Sequence, residues 1–217
     1  MVERFDMIWR YLRLHRVEVL CLGLLATCTT SVVVGSLVAV LPSSGPSGTV
    51  SIPLRSYIPL TSVVIALSSR HSAMADMDTA GSHWLRRSEL LYTGLVATLA
   101  VVLTGVTELF VSTPEVAVVL SRAAVIWAGL AVLSGRLFGW LLSWILPVIT
   151  LFPLTYLAED GNGDDRWWDW TQQEAASWPC WALAGASTLI AVCAMTATPW
   201  RVTALAGRVL GRQQHGG

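Results

Sequence analysis

Apolar residues in this chain come in long runs separated by short polar stretches. Residues 137–157 (LFGWLLSWILPVITLFPLTYL) are 21 positions without a charge. At about 1.5 Å rise per residue a helix of that length crosses a hydrocarbon core of about 30 Å. Residues 178–198 (WPCWALAGASTLIAVCAMTAT) form a second uncharged run of the same length, and comparable spans are predicted over 17–41, 90–110 and 115–134. Residues 52–69 (IPLRSYIPLTSVVIALSS) are less regular, since Pro53, Arg55 and Pro59 interrupt them. That pattern suits either a crossing helix whose Arg55 reaches up to the headgroups or a re-entrant segment. The predicted fold class is all-α, a polytopic membrane protein with six transmembrane helices. They form one domain over 17–199, between an N-terminal segment 1–16 and a tail 200–217. The first apolar run begins only after Arg16 and has no small-residue cleavage site, so it is expected to stay in the protein.

The polar stretches orient these spans. In residues 1–16 (MVERFDMIWRYLRLHR), Val2, Phe5, Ile8, Trp9 and Leu12 recur at helical spacing, which predicts an amphipathic helix lying in the cytoplasmic interface. Residues 42–51 (PSSGPSGTVS) read as a turn-rich loop. The loop after the fifth span carries Glu159, Asp160, Asp164, Asp165, Asp169 and Glu174 against Arg166 alone, so it is placed outside. Six crossings put Arg4, Arg10, Arg13, Arg16, Arg70, Arg86, Arg87, Arg136, Arg201, Arg208 and Arg212 inside, with Arg55 and Arg166 outside and Arg122 within a span. This asymmetry predicts a multi-pass protein of the cell membrane with both termini cytoplasmic.

With 54% hydrophobic and 13% charged residues, the chain is unlike a water-soluble globule. None of its 14 basic residues is lysine, which removes the Walker A lysine and Schiff-base chemistry. No intramembrane serine or aspartyl constellation is present either, so the chain is expected not to be an enzyme. Cys21, Cys28, Cys180 and Cys193 lie in apolar spans without metal-binding spacing, and the four histidines lack paired spacing. Asp160, Asn162 and Asp164 match the start of a calcium loop, but Asp165 and Thr171 stand where glycine and glutamate are needed, so no metal is assigned.

Three groups of residues remain as candidates. The largest inner loop, 70–89 (RHSAMADMDTAGSHWLRRSE), can form a helix carrying Met74, Asp76, Met77 and Asp78, with Trp84 beyond it; it reads either as a docking element for a cytoplasmic partner or as a solvated connector. Glu108 and Arg122 flank a turn near Pro114 at similar depth, about 10 Å below the outer surface. They can pair as a clasp or line a polar path, or Arg122 can instead snorkel toward Glu115. Residues 164–178 (DDRWWDWTQQEAASW) suggest a short interfacial helix whose Trp167, Trp168, Trp170 and Trp178 form either an aromatic anchor or an outer lid.

An amphipathic N-terminal helix, six spans, a helical inner loop between spans two and three, and an amphipathic outer segment before the last span together resemble the permease subunits of ABC-2 type exporters. The resemblance is one of layout and covers nearly the whole chain. It implies that residues 5–16 and 71–87 meet a separate cytoplasmic ATPase subunit, that ATP and Mg are bound by that partner and no cofactor by this chain, and that residues 167–178 act as the outer lid. A second permease copy or paralogue and the lipid membrane are the other implied partners; nucleic acid is not. ATP-driven closure of the partners would then tilt the permease pair between inward and outward states. A non-transporting accessory, immunity or assembly subunit is the other reading open at this level.

Overall fold

A computed structural model describes residues 17–42, 49–69, 83–157 and 166–196. Six α-helices lie within these residues: α1 (Val17–Val34), α2 (Ile58–Ser68), α3 (His83–Val111), α4 (Pro114–Phe138), α5 (Ile145–Tyr156) and α6 (Trp178–Thr196). Strands β1 (Val38–Pro42) and β2 (Thr49–Pro53) form an antiparallel pair between α1 and α2, with Val38 opposite Pro53 and Pro42 opposite Thr49. Three helices are long and apolar enough to cross a membrane, over Glu89–Val111, Pro114–Phe138 and Trp178–Thr196. The segments Glu18–Val34, Leu54–Ser68 and Trp140–Tyr156 are apolar but shorter.

The tight turn between the two long central helices falls where the pattern predicts it. Thr113 is extended and its hydroxyl oxygen accepts from the Val116 amide at 3.4 Å, while Pro114 takes the first helical position, where a missing N–H costs nothing. Elsewhere the boundaries differ from expectation. α1 stops at Val34 rather than Leu41, because the chain turns at Gly35 and Leu37 and pairs as β1 with residues expected to be loop. The second apolar run forms a 3-10 turn, Leu54–Tyr57, followed by only 11 residues of α-helix. β2 occupies its first positions and ends at Pro53, with the Leu54 amide closing back on the Leu37 carbonyl.

The fifth run is also not one helix. α4 continues past Ser134 and Arg136 to Phe138 and ends at Gly139, whose φ of 97° is a conformation glycine adopts without a Cβ penalty. The chain folds straight back: the Ser134 hydroxyl donates to the Leu142 carbonyl at 2.7 Å, and the Trp140 ring lies over Gly135 where a Cβ would come within 2.6 Å of it. A 3-10 turn, Trp140–Leu142, and the 12-residue α5 replace the expected 21-residue span.

α4 is the axis of the bundle. It packs against α2, α3, α5 and α6, and 61% of its most apolar window is buried, against 22% for α3 and 28% for α6. The outward faces of α3 and α6 are apolar, with Leu91, Leu95, Leu109 and Phe110 exposed on one and Leu189, Ile190 and Val192 on the other. Exposed apolar area on that scale fits contact with lipid. Without water to drive helix association, close packing of small residues must hold such a bundle. Ala123, Ala124 and Ala131 on α4 are fully buried. At Gly129 an added Cβ would sit 2.6 Å from the Ser187 carbonyl oxygen on α6.

Gly129→Ala is therefore expected to destabilise the protein by about 1–3 kcal/mol, since backbone must shift to admit the methyl. Gly185→Ala on α6 has nothing within 4 Å of the new Cβ and is expected to be neutral or slightly stabilising. Thermal unfolding of both variants in detergent checks the contrast.

Candidate functional site

The C-terminal ends of α1, α3 and α5, the strand pair and the start of α4 gather at one end of the bundle, together with residues 166–177. Tyr57 and Thr155 join their hydroxyls across this end at 3.0 Å, tying the 3-10 turn that leads into α2 to α5. Residues 166–177 form consecutive turns rather than the expected interfacial helix. The cause lies in where their backbone groups are used. The Asp169 carboxylate accepts from the Thr171 amide at 2.9 Å and from its hydroxyl at 2.7 Å, a local turn that competes with helix. Four carbonyls of the stretch, those of Trp170, Gln173, Glu174 and Ala175, turn toward Arg122 rather than along a common helix axis.

Arg122 is fully buried on α4. Its two terminal nitrogens donate to the carbonyls of Glu174 and Gln173, both at 2.8 Å, and more loosely to those of Trp170 and Ala175 at 3.3 and 3.4 Å. Asp169 lies close enough to exert an electrostatic pull on it. A planar fork of donors suits several convergent carbonyls in a way that an ammonium does not. Residues 166–177 are thus a cap whose last turns are gathered onto α4 by one guanidinium, with Trp181 of α6 also donating to the Ala175 carbonyl at 2.9 Å.

Glu108 is also buried, at 1% exposure, and it does not pair with Arg122. Its Oε2 lies 3.3 Å from Arg55 Nε, an ion pair, and Oε1 accepts from the Ser31 hydroxyl. Ser112 adds a contact at 3.2 Å. The expected Glu108–Arg122 pair fails for two geometric reasons. α3 runs to Val111, so Glu108 stands only about 4.5 Å from its end, whereas Arg122 is about 12 Å into α4. The two side chains also serve different neighbours, Glu108 the α1 side and Arg122 the cap. Below Glu108 a pocket of about 10 Å³, room for roughly one water, is lined by Thr27, Ser31, Ser62, Thr104 and Thr107. Thr107 donates to the Cys28 sulfur at 3.3 Å.

Above the ion pair lies a cavity of about 630 Å³. Gly35, Pro53, Arg55 and Ser56 form one wall, the first turns of α4 from Glu115 to Leu120 a second, and residues 171–176 of the cap the third. Arg55 therefore faces both its buried partner and this space.

The four candidate lid tryptophans divide into two pairs. Trp167 and Trp178 are exposed, as a membrane-interface role requires. Trp168 and Trp170 pack inward against Leu60, Ala123, Trp127 and Leu154. Trp170 meets the fully buried Trp127 edge-on at 6.5 Å, and Trp127 Nε1 donates to Thr150 at 3.2 Å. At the opposite end Arg136, expected to mark a turn, instead donates from α4 to the Ala194 and Met195 carbonyls that end α6, at 3.3 and 3.4 Å.

Met74, Asp76, Met77 and Asp78, the N-terminal segment 1–16, residues 197–217 and the Asp160–Asp164 motif fall outside the described residues, and Trp84 is described only as part of the α3 backbone. Ser31, Asp169 and Trp127 were not marked by the sequence pattern, because a serine, a loop aspartate and a tryptophan in a span carry no distinctive spacing. Arg55 stood out only as an interruption. Comparison with protein-family models, curated proteins and solved structures gives no match to this chain.

Proposed function

We propose that this chain is the membrane-embedded permease subunit of an ATP-driven exporter, with ATP hydrolysed by a separate cytoplasmic subunit. In this reading the three long helices and the three shorter apolar segments make six crossings. Counting their 3-10 turns at about 2 Å per residue, Leu54–Ser68 extends about 24 Å, and local thinning of the bilayer accommodates the shortfall. The capped end then faces outward, with Trp167 and Trp178 in the headgroup layer, and both termini lie inside.

The observation that carries this reading is the cavity of about 630 Å³ at the capped end, lined by Arg55, whose buried partner Glu108 lies behind it. Burying ionisable groups in a membrane bundle costs several kcal/mol unless they are paired or wet, so such groups are kept where a polar path is needed. A purely structural bundle of these helices would hold together through α4 and its small residues without them.

Purification from native membranes tests the proposal. A P-loop ATPase is expected to accompany the chain, and hydrolysis is expected to drive transport in sealed vesicles. Replacing Met74, Asp76 and Asp78 together is expected to leave insertion intact while uncoupling hydrolysis from transport. A folded chain that carries no ATPase would overturn the reading in favour of a non-transporting accessory subunit.

A further inference from the structure

The cavity at the capped end has a charge balance that follows from the contacts around it. Arg55 points its charge at Glu108, 3.3 Å away, and Arg122 stands behind the cap wall with its terminal nitrogens donated to the Glu174 and Gln173 carbonyls. Two lining carboxylates are left over: Glu115 in the first turn of α4 and Glu174 in the cap are both exposed, and neither joins an ion pair among the described residues. Arg166 is exposed and does not line the cavity. Among the described residues the site therefore carries a net charge of −2 on its open side. Its α4 wall is apolar, made by Val116, Val119 and Leu120. At about 630 Å³ it falls in the size range of small-molecule sites, which are mostly apolar with a few placed polar groups.

We propose that this cavity binds an amphipathic organic cation, with its apolar body against Val116, Val119 and Leu120 and its positive charge between Glu115 and Glu174. A hydrophilic cation would forgo the apolar wall, and an anion would meet two carboxylates with the nearest guanidinium already paired. The site is framed by the end of α1, the strand pair and the cap, so a ligand partitioned into the headgroup layer reaches it without crossing the bundle. The inference deepens the exporter reading by naming a substrate class, and it rests on that reading for the step from binding to transport.

Tetraphenylphosphonium and tetraphenylborate share one shape and differ in the sign of their charge. Equilibrium dialysis of the full chain in nanodiscs is expected to show saturable tetraphenylphosphonium binding, displaced by unlabelled cation, and no saturable tetraphenylborate binding. The double variant E115Q/E174Q, altered only at exposed side chains, is expected to weaken tetraphenylphosphonium by about tenfold, equivalent to about 1.4 kcal/mol. Equal binding of both ions, no saturable binding of either, or an unchanged affinity in a double variant whose melting matches the parent chain would overturn the proposal. The two ideas separate cleanly. Charge-selective binding without ATP-driven transport supports the site and sinks the exporter reading; ATP-driven transport without charge-selective binding does the reverse.

Discussion

Replacing Arg122 with methionine is expected to detach the cap from the bundle and to lower stability by about 3 kcal/mol or more. The substitution keeps most of the volume but removes the Arg122 donors at 2.8 Å from the Glu174 and Gln173 carbonyls and weaker ones from those of Trp170 and Ala175, while Ser177 still donates to Glu174 and Trp181 to Ala175. Each hydrogen bond to a charged donor contributes about 1.5–3 kcal/mol, and water reaching the half-buried loop offsets part of the loss. The loss also propagates: Trp170 would leave its edge-on contact with Trp127 and open a gap in the cluster with Leu60 and Leu154. Arg122→Lys is expected to fall in between, because one ammonium cannot serve carbonyls spread over six residues. Melting in detergent measures the stability, and acrylamide quenching of tryptophan reports the cap. An R122M protein with unchanged melting and unchanged quenching would show that the cap is held by something else.

Removing the carboxylate of Glu108 is the second large effect expected. Glu108→Leu leaves the Arg55 guanidinium without its ion-pair partner and the Ser31 hydroxyl without its acceptor. Breaking one side of a buried pair costs about 3–5 kcal/mol, and the 19% exposure of the Arg55 side chain moves the expectation toward the lower figure. Glu108→Gln keeps an acceptor for Ser31 and is expected to cost less. The double variant R55M/E108L is expected to recover at least about 1 kcal/mol relative to the sum of its single changes. E108L combined with R122M is expected to be additive within about 0.5 kcal/mol, as for sites that share no partner. Strong coupling between positions 108 and 122 would contradict the pairing described here, and weak coupling between 55 and 108 would do the same.

These two arginines show what the chain discloses before it folds. The three long helices were legible from their apolar length, though runs of similar length at 17–41 and 137–157 break, and the α3–α4 turn was legible because Thr113-Pro114 is a local capping signal. Span ends were not: Gly35 and Gly139 sit in apolar surroundings that hydropathy reads as continuous, and only the contacts of Leu142 and Trp140 with Ser134 and Gly135 of α4 show that the chain turns back after Gly139. The charges were legible as unusual but not as partners. Arg122 and Glu108 are close to one sequence turn, which suggested each for the other. Pairing depends on which face of a helix a side chain takes and on where the distant residues 55 and 169–175 come to rest, and no local pattern holds that information. The tryptophan-rich stretch was recognised by composition, yet its turns follow from an Asp169 side chain and an Arg122 fork that override its helical tendency.

Arg122 and Arg136 stand about four turns apart on nearly one face of α4. The first clamps the lead-in to α6, and the second clamps that helix's final carbonyls. Tied at both ends, α4 and α6 cannot separate without breaking one of these guanidinium contacts. Rocking that spares both clamps is expected to move α2 and α3, which pack on the other flank of α4, against that pair.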